Sequence, residues 1–160
     1  MAARPLNVLF LCTGNSCRSI MAESILDHLG EGRFKSYSAG SHPAGRVNLY
    51  ALAQIERRGC PTGDLRNKDW DEFGGAEAPA MDLVITLCDL AAAETCPVWP
   101  GDPLTVHWPF RDPAVFSGAD AETHDEYAAV YGQIEARVRR LVALPLESVD
   151  LKQQLAAIGA

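Results

Sequence analysis

The sequence predicts an α/β fold, a three-layer sandwich with a central four-stranded parallel sheet. Three observations point there. Short apolar runs of strand length alternate with longer segments of helical period, as βαβ units require. The 160 residues suit one domain with a real core, and no internal repeat or linker divides them. The chemically distinctive residues Cys12, Cys88 and Asp112 all follow expected strand ends, the edge at which open parallel sheets bind ligands.

The elements follow in chain order. Leu6, Val8, Leu9, Phe10 and Leu11 predict a buried strand over about 6–12, and Ile20, Met21, Ile25 and Leu29 a helix over about 17–30. A second strand is expected at 34–38, with Ala39 to Gly45 as a loop. Val47, Ala51, Leu52 and Ile55 share one face of a helix over about 46–58, and Gly59 stops it. A short helix from Trp70 to Phe73 is broken by Gly74, Gly75 and Pro79. Met81 to Leu87 reads as a third buried strand ending at Cys88. Residues 89–103 are loop-like, Thr105 to Trp108 forms a fourth strand, and Asp112-Pro113 a turn. A long helix over about 121–143 carries Tyr127, Val130, Ile134, Val138, Leu141 and Val142 on its apolar stripe. The domain is taken as 1–160, with a core of about 6–143 and an extension, 144–160, that either adds a short amphipathic helix or frays.

Apolar content of 48% and charged content of 22% are ordinary for a soluble globular chain. The net charge of −7 argues against nucleic-acid and anionic-membrane partners, so an anion site here must rely on local groups. No apolar run approaches membrane-spanning length, and Met1 to Pro5 leads into the first strand without the layout of a signal peptide. A cytoplasmic monomer is expected. Arg137, Arg139 and Arg140 read as a solvated face complementing the C-terminus of the long helix. Five cysteines make a poor disulfide framework. Cys88 and Cys96 are too far apart for a zinc knuckle and no C-x2-C pair exists, so no metal is expected and catalytic or redox use is the better reading.

The chemistry concentrates in Cys12-Thr13-Gly14-Asn15-Ser16-Cys17-Arg18-Ser19, where a strand gives way to a helix. Free N–H groups and the helix dipole attract an anion there, and the same field favours a thiolate, the nucleophilic form of cysteine. Arg18 adds a fork of donors suited to a tetrahedral oxyanion. Cys12 is thus the expected nucleophile, with Thr13 to Ser19 lining the anion site. Cys17 is read as structural and Cys60 as a bystander. Cys96 lies eight positions after Cys88; if the segment between is helical, its rise of about 12 Å exceeds the roughly 7 Å a disulfide tolerates between Cα atoms. Bonding would require unwinding, which Ala91, Ala92 and Ala93 make easy. Taken alone the pair reads as two buried cysteines; on the same rim as Cys12, a relay of thiols is preferred. Asp112 either protonates a leaving oxygen or merely forms the Asp-Pro turn. His107 and Trp108 are expected to pack, and His107 is given no catalytic role. Glu23 either braces the loop through Asn15 or is a solvated helix residue.

This loop, followed by Met21-Ala22-Glu23, resembles the low-molecular-weight tyrosine phosphatase superfamily and, more narrowly, the thioredoxin-coupled arsenate reductases built on that fold. The resemblance takes in Tyr37 to Gly40, Val84 to Asp89, Cys96-Pro97, His107-Trp108 and Asp112-Pro113, about residues 6–142 in all. It implies that Cys12 attacks arsenic while Arg18 and the loop amides hold the oxyanion. Ser19 donates to the Cys12 thiolate, Asn15 keeps the loop in shape and Asp112 protonates the departing hydroxide. Cys88 then attacks the Cys12 sulfur and expels arsenite. Cys96 attacks Cys88, leaving a Cys88–Cys96 disulfide for thioredoxin. No bound cofactor is implied; glutaredoxin with glutathione is the alternative thiol donor.

Two departures stand out. Some relatives bind potassium through residues matching Asn15 and Glu23 plus an acidic residue near position 68, where this chain has Lys68-Asp69. The Lys68 ammonium is expected in the cation's place. Phosphatases of this fold usually follow Asp-Pro with tyrosine; here Ala114 follows, which weakens the alternative of a phosphotyrosine phosphatase. The Cys88/Cys96 pair also counts against that alternative, and catalytic turnover would exclude a third one, a non-enzymatic oxyanion or redox sensor.

Overall fold

Residues 4–88 and 99–159 are described by the structure, a computed structural model. Its sheet has four parallel strands: β1 (Leu6–Cys12), β2 (Phe34–Gly40), β3 (Leu83–Thr86) and β4 (Leu104–His107), in the spatial order β2-β1-β3-β4. The helices are α1 (Arg18–Leu29), α2 (Leu49–Arg57), α3 (Asp120–Val142) and α4 (Leu151–Gly159). Cys12 pairs with Gly40, Leu11 with Thr86, and Thr86 with His107. All four strands therefore finish along one edge. Side chains alternate across a strand, so Val8, Phe10, Ile85 and Val106 face a core shared with the four helices. Leu9, Leu11 and Val84 face Trp70, Phe73, Met81 and Trp99 on the other side. Burial of β1 on both faces explains its unbroken apolar run. Among the described residues that second face is covered by a 3-10 turn, Trp70–Phe73, and by Trp99 instead of an α-helix.

Several boundaries differ from the expectation, each for a local reason. β2 runs on to Gly40 because it pairs with β1 throughout, and the Gly40 N–H donates to the Lys68 carbonyl (3.0 Å). α2 begins only at Leu49, because the Asn48 side chain caps the N–H groups of Tyr50 (2.8 Å) and Ala51 (3.2 Å). β3 begins at Leu83: Met81 is held instead by the Pro100 carbonyl, and the Asp82 carboxylate binds Arg4 twice at 2.7 Å and the Asn7 N–H at 2.8 Å.

The C-terminal segment is helical. Leu155 and Ile158 join the main core, and the Trp108 indole donates to the Leu155 carbonyl (2.8 Å). A Cβ on Gly159 would stand 2.5 Å from the His107 carbonyl, so only glycine lets α4 approach β4 this closely. The arginine cluster is corrected in part. Arg139 is exposed and pairs with Glu135 (3.8 Å). Arg137 is half-buried and has partners: it donates to the Pro109 carbonyl (2.8 Å) and its guanidinium carbon lies 4.4 Å from the Phe110 ring centroid. No helix among the described residues is long and apolar enough to cross a membrane.

Candidate active site

The loop between β1 and α1 is shaped by what its carbonyls bind. Cys12 O accepts from Ser41 N (3.4 Å), Thr13 O from His42 N (2.9 Å), Gly14 O from Ala44 N (2.9 Å) and Ser16 O from Asn48 N (2.9 Å). The Asn67 amide nitrogen donates to both Gly14 O and Asn15 O, each at 2.7 Å. In a peptide unit the C=O and N–H point opposite ways, so carbonyls tied down on the outside turn the amides toward the centre. The Asn15 N–H accordingly donates to the Cys12 sulfur (3.3 Å). Concave amide nests of this kind, at a helix N-terminus, bind anions. Two backbone features permit the shape. A Cβ on Gly40 would come within 2.5 Å of Thr13 O, and Asn15 holds φ at 47°, a left-handed conformation that asparagine tolerates.

Cys12, the expected nucleophile, sits at the floor and is only 2% exposed. Its sulfur is 2.9 Å from Ser19 Oγ, which accepts from Asn15 Nδ2 at 2.7 Å. Against a Cys12 thiolate, which can only accept, the Ser19 O–H is the donor. Asn15, fully buried, is held in turn by the Lys68 N–H on its Oδ1 (2.9 Å). Arg18 is also buried; Nη1 donates to the Phe110 carbonyl (3.0 Å) and Nη2 lies 3.5 Å from Asp112 Oδ2. Arg18 Nε has no partner among the described residues. An orphaned cationic donor beside a ring of amides fits a tetrahedral oxyanion.

Asp112 caps a 3-10 turn, Pro113–Val115, by accepting the Ala114 N–H on Oδ1 (2.9 Å). The same oxygen accepts from the Cys17 thiol (3.6 Å). Burial, Asp112 and Cys12 push the Cys17 thiol up to about 12, so it stays protonated and acts as a donor. Asp112 thus both forms its turn and stands at the loop, its side chain one-third exposed. Cys88 is buried beyond the end of β3, its sulfur 3.2 Å from Thr13 Oγ1. The loop thereby brings a second thiol against the residue next to the nucleophile. Cys96 lies outside the described residues.

Lys68 and Glu23 form a second layer. Lys68 Nζ meets the Arg66 carbonyl (2.8 Å), Ser38 Oγ (3.2 Å) and Glu23 Oε1 (3.7 Å), and Ser38 donates to Glu23. Burial pushes the Glu23 carboxyl up against the pull of Lys68, and pushes the Lys68 ammonium down against the pull of Glu23. Glu23 therefore reaches the loop through Lys68, whose backbone holds Asn15. His107 packs, with Nδ1 2.7 Å from Thr86 Oγ1, and Cys60 stands apart, its thiol 3.9 Å from the Arg58 carbonyl. Among the described residues no His, Cys, Asp and Glu cluster is arranged to hold a metal. Asn67 and Phe110 bond to the site's residues without any sequence signal that singled them out, whereas Ser38 lies in the Tyr37 to Gly40 stretch of the resemblance.

A cysteine–arginine anion loop on a four-stranded parallel sheet, with an aspartate facing it, defines the class. The chain belongs to the low molecular weight phosphotyrosine protein phosphatase family, whose sequence pattern matches residues 7–155. Solved tyrosine phosphatases share the fold at 21–22% identity, and the relatives at 30% identity or more include reductases. It is 38% identical over 133 residues to an arsenate reductase of Halalkalibacterium halodurans, covering 82% of this chain and 91% of that one. A solved arsenate reductase in its phosphate-binding state superimposes with a TM-score of 0.67 at 30% identity, over 86% of this chain and 97% of that one. A thioredoxin-dependent arsenate reductase of Corynebacterium glutamicum shares the fold, with a TM-score of 0.56 at 23% identity over 87% of this chain and 64% of that one.

Proposed function

We propose that this chain reduces arsenate to arsenite, with its own cysteines carrying the oxidation outward. The observation that carries the reading is the second thiol: Cys88 lies 3.2 Å from Thr13 Oγ1, beside the nucleophile's loop. Phosphoester hydrolysis needs only Cys12, Arg18 and Asp112 and leaves Cys88 without work. The relatives named arsenate reductase at up to 38% identity support the same choice.

The steps balance as follows. The amide nest and Arg18 hold arsenate while the Cys12 thiolate attacks arsenic, and Asp112 gives a proton to the hydroxide that leaves as water. The Cys88 thiolate then attacks Cys12 Sγ. The S–As bond breaks with its electron pair going to arsenic, which departs as arsenite, and a Cys12–Cys88 disulfide forms. Cys96 attacks Cys88, releasing the Cys12 thiolate and leaving a Cys88–Cys96 disulfide. A thioredoxin dithiol reduces that bond and is itself oxidised. Such a cycle belongs in the reducing cytoplasm. The test is arsenate-dependent NADPH oxidation in the presence of thioredoxin and thioredoxin reductase. No oxidation above the rate without arsenate, at saturating reductant, defeats the proposal.

A further inference from the structure

We propose that Arg137 of α3 is a positioning residue for Arg18: it grips Pro109 and Phe110 so that the Phe110 carbonyl pins one end of the Arg18 guanidinium and leaves the rest of the fork for the oxyanion. Three contacts make the chain of action. Arg137 Nη1 donates to Pro109 O at 2.8 Å, the Arg137 guanidinium lies over the buried Phe110 ring at 4.4 Å, and Arg18 Nη1 donates to Phe110 O at 3.0 Å.

The gripped stretch needs such a clamp. β4 ends at His107, so Pro109 and Phe110 lie beyond the sheet's ladder. On the sheet side they are tied by Trp108 N to Thr86 O (2.8 Å) and Phe110 N to Leu87 O (3.1 Å). On the helix side the ties are Arg137 and the exposed Arg111–Glu126 pair (2.8 Å). A planar guanidinium can bond along its edge and stack through its face at once, which an ammonium cannot. Burial and neighbouring Arg140 both push the Arg137 guanidinium down from its ordinary value. Arg18 shows what is at stake. Its Nη2 already lies 3.5 Å from Asp112, so an Arg18 released from Phe110 O would close on that carboxylate and withdraw donors from the anion site.

The kinetic arm of the test rests on the arsenate reading; the binding arm does not. In the binding arm, inorganic phosphate protects Cys12 from iodoacetamide, and the protection constant is compared across variants. Arg137→Met is expected to weaken protection about tenfold, as loss of one charge-assisted hydrogen bond implies. Arg137→Lys, which keeps a donor for Pro109 O, recovers part of it, and exposed Arg140→Gln changes nothing. In the kinetic arm KM for arsenate rises by a similar factor with kcat within about twofold, the sign of binding lost equally from ground and transition states. Should Arg137→Met not fold, Phe110→Leu removes the stacked face, along with some buried volume, while keeping the Phe110 carbonyl, and is expected to weaken protection about threefold. An unchanged protection constant in the variant that folds overturns the proposal, as does a fall in kcat alone that follows Tm. Lost phosphate protection in an enzyme that fails to turn over arsenate would leave this inference standing and the arsenate reading fallen.

Discussion

Replacing Asn67 with alanine tests whether the anion loop is held from outside. Three bonds go: Nδ2 to Gly14 O, Nδ2 to Asn15 O, and Gly45 N to Oδ1 (2.9 Å). They are not equal. Gly45 is exposed, so water replaces that bond at little cost. Gly14 O keeps the Ala44 N–H. Asn15 O belongs to a fully buried residue, and stranding a buried acceptor costs about 1–3 kcal/mol. The expected loss is about 2 kcal/mol, or a Tm lower by roughly 4–8 °C for a domain of this size. Asn67→Asp is the sharper control. It keeps the shape but sets a carboxylate against two carbonyls, and should be worse than alanine. Thermal unfolding with phosphate absent measures both, and KM for arsenate should rise as the amide nest loosens. An alanine variant melting within a degree of the parent, or an aspartate variant as stable as the parent, refutes the argument that Asn67 fixes the loop.

Other outcomes follow from the same geometry. Cys12→Ser, Cys88→Ser and Cys96→Ser should each abolish multiple turnover with thioredoxin while Cys60→Ser retains it; steady multiple turnover by Cys96→Ser breaks the relay. With the Lys68 ammonium among the oxygens of Glu23, Ser38 and Arg66, activity should be the same in potassium and sodium at equal ionic strength. Lys68→Met, which leaves Glu23 buried without its partner, should cost on the order of 3 kcal/mol in urea unfolding. The Arg4 side chain and then the Asn7 N–H hold the Asp82 carboxyl below its ordinary value. A depressed carboxyl stabilises the fold above its unfolded pKa, near 4, and that contribution is lost as pH falls through the folded value. Asp82→Asn should therefore be less stable than the parent at pH 7, with the gap closing in acid; a gap that persists at pH 2 contradicts the linkage.

The parts of this fold that sequence spacing reveals are those whose cause is local. β1, the anion loop and α1 are legible because a strand, five residues of loop and a helix succeed one another directly, and Cys12 and Arg18 stand at fixed spacing. Misjudged boundaries arise where a distant partner decides. Ala39 and Gly40 look like loop, being small and followed by Ser41, yet β1 pairs with them all the way to Cys12. Met81 continues an apolar run but bonds to Pro100 instead of a strand. Val47 lies outside the helix whose face it was expected to share because Asn48 caps the next turn. Arg137 looks like its exposed neighbours from spacing alone; what distinguishes it is Phe110, 27 positions earlier. Asn67 carries no local signature, since its partners lie 22, 52 and 53 positions away.

The anion site is built from two kinds of support. The amides belong to one short loop, but their direction is enforced by carbonyl partners drawn from residues 41–48 and from Asn67, across the strand end of β2. The cationic fork is aimed from the opposite side, by Phe110 and Asp112 beyond β4. Oxyanion stabilisation works through dipoles and charges that need not reorganise when the reaction occurs, so supports anchored in different parts of the fold are what keep these groups fixed. Cys88 stands under a different requirement in the proposed relay. There it has to leave Thr13 Oγ1 to reach the Cys12 sulfur and then pass the bond outward, so the relay asks of its thiol a freedom that the loop must not have. Both demands are met by a cradle held from residues 41–48, Asn67, Phe110 and Asp112, and a second thiol two residues past the end of a four-residue strand.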